Sequence, residues 1–379
     1  MGMGFFAVRT SHPHGRARER VARVGLVLGS CLATLGAIEA WLFLSRPAGN
    51  TPPAVASLID RQSRVALDCY PSDPRSYFDV DLRDGDVRNH YRSERLVRVD
   101  RVSAFAPHAV ELRYNSLQYR DSEVPPKRHG TRRVIVVGDS FTEGQGVKED
   151  DTYVRVLEAL LNQAEPGGWE VRNWGERGAD FPVLSTLFDE TLQYQPDVVV
   201  YGMVLNDADR SPEFQARQTY VNDWILDRGR VLEGGASPEL GPFASRLVAM
   251  VGDRVESYRT SRATLRWYRE MYAEPNRAGW ERTQQYLREM NERTRAGGGR
   301  FLVATWPLLV ALDRYPFADV HERIARFCLA AGIPQHDLLP VLRAHPTEGL
   351  WVHPVDMHPN EIAHRLAAES LVGPVLALP

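Results

Sequence analysis

The chain has 379 residues, of which 43% are hydrophobic and 25% are charged, and its formal net charge is −3. This is the composition of a globular protein that is large enough to bury a substantial core. It excludes the common classes of nucleic-acid-binding protein, because no basic field dominates the sequence and no zinc-finger spacing occurs in it.

The N-terminal segment is almost uncharged. Residues 24–45 carry a single charged side chain, Glu39, and are long enough to cross a bilayer as a helix. Arginines precede this segment at positions 9, 16, 18, 20 and 23. The positive-inside rule therefore predicts a cytoplasmic tail over residues 1–23, a transmembrane helix over 24–45, and an extracytoplasmic remainder in the periplasm or at the cell surface.

Two alternatives to an uncleaved anchor exist. A cleaved signal peptide has a shorter apolar region than this one. Leu28-Gly-Ser-Cys31 resembles a lipoprotein signal, but the residues that follow Cys31 stay apolar, as in a continuous span. The sequence favours the uncleaved helix.

Three cysteines are present. Cys31 lies in the apolar segment, whereas Cys69 and Cys328 would both be extracytoplasmic, where either a disulfide or two separate buried thiols is compatible with the sequence. No cysteine or histidine cluster has the spacing of metal ligands, so we expect neither a metal nor a cofactor.

The extracytoplasmic part divides into three regions. Residues 46–60 form a linker. Residues 61–129 are polar and contain short runs of alternating apolar and polar residues, which predict a small β-rich extension. Residues 130–379 form the main domain, with a helical insertion at about 240–297, where the sequence is charged and has no strand signal.

In the main domain, apolar runs alternate with helical segments. This pattern is typical of the α/β class, in which helices cover both faces of a parallel sheet. The predicted strands are Val134–Val137, Glu170–Trp174, Val198–Tyr201, Phe301–Thr305 and Ile333–Asp337. The predicted helices are Thr152–Gln163, Thr186–Tyr194, Pro316–Ala331 and Glu361–Leu371.

The first of these strands ends in Gly138-Asp139-Ser140 and is followed by a glycine-rich turn. Ligands bind at the carboxyl edge of such sheets, and a serine placed there can act as a nucleophile. The tripeptide alone is weak evidence, because it arises by chance in about one chain in ten of this length. We expect Asp139 to support the turn. For Glu143 we expect a solvated turn residue, with a place at the mouth of the site as the alternative.

A histidine with a nearby acid lies close to the C-terminus, in Asp356-Met-His358-Pro-Asn360, immediately before a helix. In an extended segment, residues two positions apart point in the same direction. The alternative interpretation is a surface histidine followed by an asparagine helix cap.

Neutral hydrogen-bond donors follow the second and third strands. Asn173-Trp-Gly-Glu-Arg-Gly178 and Gly202-Met-Val-Leu-Asn206-Asp207 place backbone N–H groups and an amide at the strand ends. An oxyanion site needs donors of this kind, because they are neutral and are fixed before the charge develops.

These four blocks, in this order, resemble the SGNH (GDSL-type) hydrolase superfamily of membrane-anchored bacterial type over about residues 132–375. The resemblance implies a three-layer α/β/α fold with a parallel sheet of flavodoxin-like type. It implies that Ser140 is the nucleophile, His358 the base and Asp356 its partner. The oxyanion hole would consist of the Ser140 and Gly178 N–H groups and the Asn206 amide.

Two departures from the family pattern leave alternatives open. Val204 stands where the asparagine block usually has glycine, and Asp356 precedes His358 by two positions rather than three. The alternative acids are Asp337 and Glu348, and the alternative base is His353. For Trp174, Trp306 and Trp351 we expect core packing, with stacking on a sugar as the alternative.

The function implied by the resemblance is that of an extracytoplasmic serine esterase. It would act on O-acyl esters, acetyl esters above all, of a carbohydrate or another small molecule through an acyl-serine intermediate. Two alternatives are an O-acyltransferase that modifies a cell-surface polysaccharide, and a catalytically silent scaffold of a glycan assembly complex with polysaccharide-assembly proteins as partners.

Overall fold

The computed structural model describes residues 13–44, 97–100, 110–181, 183–221, 224–227, 258, 262–353 and 356–378. The chain divides into two units, one formed by residues 1–50 and 236–259 and the other by residues 51–235 and 260–379. The predicted linker and most of the predicted β-rich extension lie outside the described residues.

The described part of the first unit includes one long helix, α1 (Pro13–Leu44). Its segment Arg20–Trp41 comprises 22 residues with a mean hydropathy of 1.8. By length and composition this segment can cross a membrane, and a signal sequence near an N-terminus has the same properties.

The second unit holds the remaining elements. Its strands are β1 (Val97–Asp100), β2 (Val110–Arg113), β3 (Arg132–Gly138), β4 (Trp169–Gly175), β5 (Val198–Met203), β6 (Gln218–Val221), β7 (Trp224–Asp227), β8 (Arg300–Thr305), β9 (Gln335–Asp337), β10 (Trp351–His353) and β11 (Asp356–Pro359). Its helices are α2 (Ser140–Glu143), α3 (Tyr153–Ala164), α4 (Val183–Thr191), α5 (Pro212–Arg217), α6 (Arg277–Ala296), α7 (Ala318–Ala330), α8 (Leu339–Leu342) and α9 (Glu361–Leu376). Residues 262–270 are also helical.

Five strands form one parallel sheet in the order β4-β3-β5-β8-β9. Every residue of β4 and β5 is buried, as are all but the first residue of β3 and β8. The central strands β3, β5 and β8 are covered on both faces and are largely apolar, which explains why the sequence marks them as continuous runs. The edge strand β4 also buries Glu170, Arg172 and Asn173. When the five strands are numbered in the order in which they occur along the chain, their order across the sheet is 2-1-3-4-5, the flavodoxin-like arrangement.

Helices cover both faces of the sheet and complete the predicted three-layer α/β/α fold. On one face α3 packs against α9 and β4. On the other face α6 packs against β8 and α4, and the ring centroids of Phe188 on α4 and Phe301 on β8 are 6.4 Å apart. The sheet lies between these layers because each helix has one apolar face to bury.

The remaining described strands form three antiparallel pairs: β1 with β2, β6 with β7, and β10 with β11. The first pair lies in the part of the predicted extension where apolar and polar residues alternate.

Within the described part of the predicted insertion, α6 packs against the central sheet as the helix that precedes β8. Cys328 is a buried free thiol on α7, and its burial raises the pKa of the thiol to about 12.

Candidate active site

Three neighbouring strands end at the same level of the sheet. Gly138 at the end of β3 pairs in register with Gly175 of β4 and with Gly202 of β5. Ser140, Gly178 and Asn206 follow these three glycines along the chain by two, three and four positions. Because the strands are parallel, the three residues emerge at one carboxyl edge, where the order of strands changes direction and where ligands bind in such folds.

Ser140 begins the short helix α2. The carboxylate of Asp139 caps this helix by accepting a hydrogen bond of 2.9 Å from the Phe141 N–H. A Cβ atom on Gly138 would lie 2.1 Å from the Oγ1 atom of Thr142, so only glycine permits the turn to be this tight. Ser140 itself is 9% exposed, which places the hydroxyl at the edge of the protein interior.

His358 lies against this serine. Its Nε2 atom is 2.9 Å from the Oγ atom of Ser140, which is hydrogen-bond distance. The edge of the Phe141 ring packs near the imidazole, with the two centroids 5.4 Å apart. Asn360 follows on the same segment and caps α9 by accepting hydrogen bonds from the N–H groups of Ile362 and Ala363.

The predicted partner of the His358 Nδ1 atom is Asp356. Asp356 lies on β11 two residues before His358, and its backbone pairs with that of His353 on β10. The side chains of both Asp356 and His353 lie outside the described part of the structure. The Nε2 atom of Gln145 lies 3.3 Å from the Nδ1 atom of His358. The sequence analysis did not identify Gln145 as a site residue. The feature that could have indicated it is its position between Gly144 and Gly146 in the glycine-rich turn.

The alternative acids lie elsewhere. Asp337 is 2.9 Å from the Nδ1 atom of a different histidine, His321, and it also accepts a hydrogen bond from the Leu339 N–H. Glu348 is exposed. Neither carboxylate forms a described hydrogen bond with His358.

Among the described residues, the three candidate oxyanion donors have no hydrogen-bond partner. These donors are the N–H groups of Ser140 and Gly178 and the side-chain amide of Asn206. Gly178 has a φ angle of +70°, a left-handed conformation that glycine adopts without strain. Free neutral donors at the mouth of a buried serine can receive a developing negative charge.

Asp207 determines the shape of the loop that carries Asn206. Its Oδ2 atom accepts hydrogen bonds from the Tyr201 hydroxyl at 2.7 Å and from the Val204 N–H at 2.9 Å. The Asp207 N–H in turn donates to the Val204 carbonyl at 3.1 Å. The turn therefore closes without glycine at position 204. Burial raises the pKa of Asp207 well above its ordinary value.

The expectation that Glu143 is a solvated turn residue is wrong. Glu143 is 3% exposed, forms an ion pair with Arg177, and accepts a hydrogen bond from the Tyr114 hydroxyl. A buried carboxylate needs such partners because desolvation of an unpaired charge is costly. The ion pair connects the serine helix α2 to the loop that carries Gly178.

Asp139 and the tryptophans complete the surroundings. Burial raises the pKa of Asp139 to about 6. Trp174 and Trp306 are fully buried, in agreement with core packing. Trp351 is half-buried and donates a hydrogen bond of 2.6 Å to the Leu309 carbonyl. The described residues contain no group of three or more side chains arranged to hold a metal ion.

Comparison with known proteins finds similar solved structures. Solved structures similar to this chain include a member of the lipolytic protein G-D-S-L family from Veillonella parvula, with 14% identity, coverage of 65% of this chain and 100% of that one, and a TM-score of 0.36. A lipase/acylhydrolase from Enterococcus faecalis shows 15% identity, coverage of 66% and 98%, and a TM-score of 0.38. A variant of an acetyl-xylooligosaccharide esterase from Geobacillus stearothermophilus shows 14% identity, coverage of 65% and 95%, and a TM-score of 0.38.

Comparison with the sequences of curated proteins finds no match. The model of one family, described as the GDSL-like Lipase/Acylhydrolase family, matches residues 136–366, which is more than half of the chain. This protein therefore belongs to the GDSL-like lipase/acylhydrolase family of the SGNH superfamily.

Proposed function

We propose that this protein is a membrane-anchored, extracytoplasmic serine esterase that removes O-acyl groups, acetyl above all, from a carbohydrate or another small ester. Membership of the acylhydrolase family indicates ester hydrolase activity. The observation that carries the finer proposal is the 2.9 Å contact between the Ser140 Oγ atom and the His358 Nε2 atom. A nucleophile within hydrogen-bond reach of its base is the geometric requirement for serine catalysis.

The proposed reaction has two halves. In the first, the Ser140 Oγ atom bonds to the ester carbonyl carbon while its proton passes to the His358 Nε2 atom. The carbonyl oxygen becomes an oxyanion that the Ser140 and Gly178 N–H groups and the Asn206 amide receive. The bond between the carbon and the alcohol oxygen then breaks, and the alcohol leaves with the proton from His358.

The second half regenerates the enzyme. Water gives a proton to the His358 Nε2 atom and bonds to the carbon of the acyl-serine. The serine ester bond then breaks, Ser140 recovers its proton, and the carboxylic acid departs. Asp356 would hold the imidazole in the required tautomer and stabilise its charged form.

The proposed location rests on α1 and on the arginines that precede its apolar segment. Positive residues on one side of a span keep that side in the cytoplasm, so residues after 45 would be outside it. A reporter that is active only outside the cytoplasm, fused to the C-terminus, should be active in cells. An inactive reporter with normal expression would contradict the orientation.

The catalytic proposal is tested with the purified full-length protein in detergent. Wild-type protein should release p-nitrophenol from its acetate ester and should bind a fluorophosphonate probe covalently at Ser140. Ser140→Ala should lose both, because it removes the hydroxyl that contacts the His358 Nε2 atom. Undiminished hydrolysis by that variant would exclude the serine mechanism.

The substrate class is tested separately. Acetylated oligosaccharides should be deacetylated, and p-nitrophenyl esters of long-chain acids should be poorer substrates than the acetate. A strict preference for long-chain esters would contradict the small-acyl proposal.

A further inference from the structure

The imidazole of His358 has a neutral amide at its second nitrogen. The Nε2 atom of His358 lies 2.9 Å from Ser140, and its Nδ1 atom lies 3.3 Å from the Nε2 atom of Gln145. The ring of Phe141 approaches the imidazole at an interplanar angle of 61°. Both ring nitrogens and one side of the ring are therefore contacted by residues of the segment that begins with the nucleophile.

The backbone of Gln145 is tied directly to the nucleophile. Its N–H donates a hydrogen bond of 3.1 Å to the Ser140 carbonyl. It lies between two left-handed glycines, Gly144 with φ +82° and Gly146 with φ +76°. Any other residue type would be strained at these two positions, so the turn presents the half-buried Gln145 side chain in one defined direction.

Arg120 holds this turn from outside the sheet. The side chain of Arg120 is fully buried and donates hydrogen bonds to three backbone carbonyl groups of the turn. The acceptors are the carbonyl oxygens of Glu143 at 3.1 Å, Gly144 at 2.5 Å and Val147 at 2.6 Å. Arginine is suited to this task because its guanidinium presents five donors in a fixed plane.

The turn also packs against the hairpin that carries His358. A Cβ atom on Gly146 would lie 2.5 Å from the Cγ1 atom of Val352 on β10, the strand that pairs with β11. Gln145 and His358 thus belong to two segments in close contact, and their relative position is set by backbone packing as well as by the side chains.

The chemistry of the base requires an acceptor at Nδ1. A neutral imidazole that takes the Ser140 proton at Nε2 carries its own proton on Nδ1, and the imidazolium carries protons on both nitrogens. An amide offers an oxygen acceptor and an NH₂ donor, which exchange places by a half-turn about the last side-chain bond. Only the oxygen can face a protonated Nδ1.

We propose that Gln145 is a positioning residue for His358, whose amide oxygen accepts the Nδ1–H bond and holds the ring in the tautomer that can take the Ser140 proton. This inference rests on the proposed function. It adds to the orienting role proposed for Asp356, since one N–H group can be shared between two acceptors.

Among the described residues, two further groups that interact electrostatically with His358 are Asp139, at the base of the nucleophile turn, and His364 on α9. Asp356 lies on β11, the same strand as His358. Substitutions at Gln145 leave all three in place, so a change in the pH dependence of such a variant reports on position 145.

The test measures kcat and KM for p-nitrophenyl acetate against pH with the full-length protein. Gln145→Met retains the length of the side chain but has no hydrogen-bonding amide. We expect its kcat to fall roughly 10- to 100-fold with little change in KM, because the base is no longer held in its reactive geometry.

Gln145→Glu replaces the neutral acceptor by an anionic one. A carboxylate near Nδ1 favours the imidazolium, so the acid limb of kcat/KM should move to higher pH by about one unit. Lys148→Gln is the matched control: it changes the net charge by the same amount at an exposed position of the same loop and should leave the acid limb in place.

Two results together would overturn the inference: wild-type kcat in Gln145→Met and an unmoved acid limb in Gln145→Glu. Failure of the proposed function has a separate signature, because wild-type protein would then not react with the fluorophosphonate, or Ser140→Ala would retain hydrolysis.

Discussion

The Oγ atom of Ser140 lies 2.9 Å from the Nε2 atom of His358, although 218 positions separate the two residues in the sequence. The contact forms because β3 delivers the serine to the carboxyl edge of the sheet, and the β10–β11 hairpin brings the histidine to the same edge before the chain continues into α9. Each residue is placed by its own secondary structure, and the packing of α9 on α3 brings the two segments together.

The support of the Asn206 loop by Asp207 leads to the first prediction. Asp207→Asn should retain most of the activity, because an amide oxygen can accept the same bonds from Tyr201 and Val204. Asp207→Ala leaves both donors buried and unpaired, which typically costs about 1–3 kcal/mol per group. It should also reduce kcat on the order of 100-fold if Asn206 is displaced as an oxyanion donor. Steady-state kinetics and urea unfolding of the two variants check this, and equal losses in both would contradict it.

Gly175 is predicted to tolerate no side chain. A Cβ atom there would lie 2.1 Å from the Glu143 backbone nitrogen and 2.6 Å from the Thr142 carbonyl carbon, and backbone atoms cannot rotate away. Gly175→Ala should therefore lower the free energy of unfolding by about 3 kcal/mol, as overpacking does. Gly349→Ala is the control, since no atom lies within 4 Å of the added Cβ. A similar urea midpoint for the two variants would show that the close approach is unimportant.

The ion pair between Glu143 and Arg177 should act as a coupled unit. Arg177→Met leaves a buried carboxylate without its cation, and breaking a buried pair in this way costs about 3 kcal/mol or more. Glu143→Gln in the same chain removes the stranded charge, so the double variant should be more stable than Arg177→Met alone. A double-mutant cycle by urea unfolding measures the coupling. Strictly additive losses would mean that the two side chains are energetically independent.

His364 should make stability depend on pH. Its Nδ1 atom accepts a hydrogen bond of 3.0 Å from the Tyr153 N–H at the start of α3, and burial lowers the pKa of His364 to about 3. The unfolded chain, with an ordinary histidine pKa near 6.5, binds this proton more readily than the folded protein between about pH 6.5 and 3. The contribution of His364 is therefore complete above about pH 6.5 and falls by at most about 1.4 kcal/mol per pH unit on acidification.

The raised pKa of Asp139 acts in the opposite direction as the pH falls from about 6, so wild-type protein alone does not isolate the effect. His364→Gln retains an acceptor for the Tyr153 N–H but does not titrate, and it leaves Asp139 unchanged. The difference in unfolding free energy between wild type and this variant should shift in favour of the variant between pH 7 and pH 4.5. A pH-independent difference would refute the assignment.

The sequence by itself determined the α/β class, the five strands of the parallel sheet and the order of the four blocks. These depend on local properties: continuous apolar runs mark strands that are covered on both faces, and Gly138, Asn360 and their neighbours mark the turns and caps at the strand and helix ends. Val204 shows the limit of a local motif, because Asp207 and the Tyr201 hydroxyl replace the expected glycine in closing the loop.

Only the tertiary structure decided which side chains meet. Glu143 looked like a solvated residue in a glycine-rich turn, and its burial depends on Tyr114 and Arg177, which lie 29 and 34 positions away. The contact of Gln145 with the Nδ1 atom of His358 spans 213 positions. Such contacts depend on how the turn, the Gly178 loop and the β10–β11 hairpin pack at one edge of the sheet, and no spacing within a single segment encodes that packing.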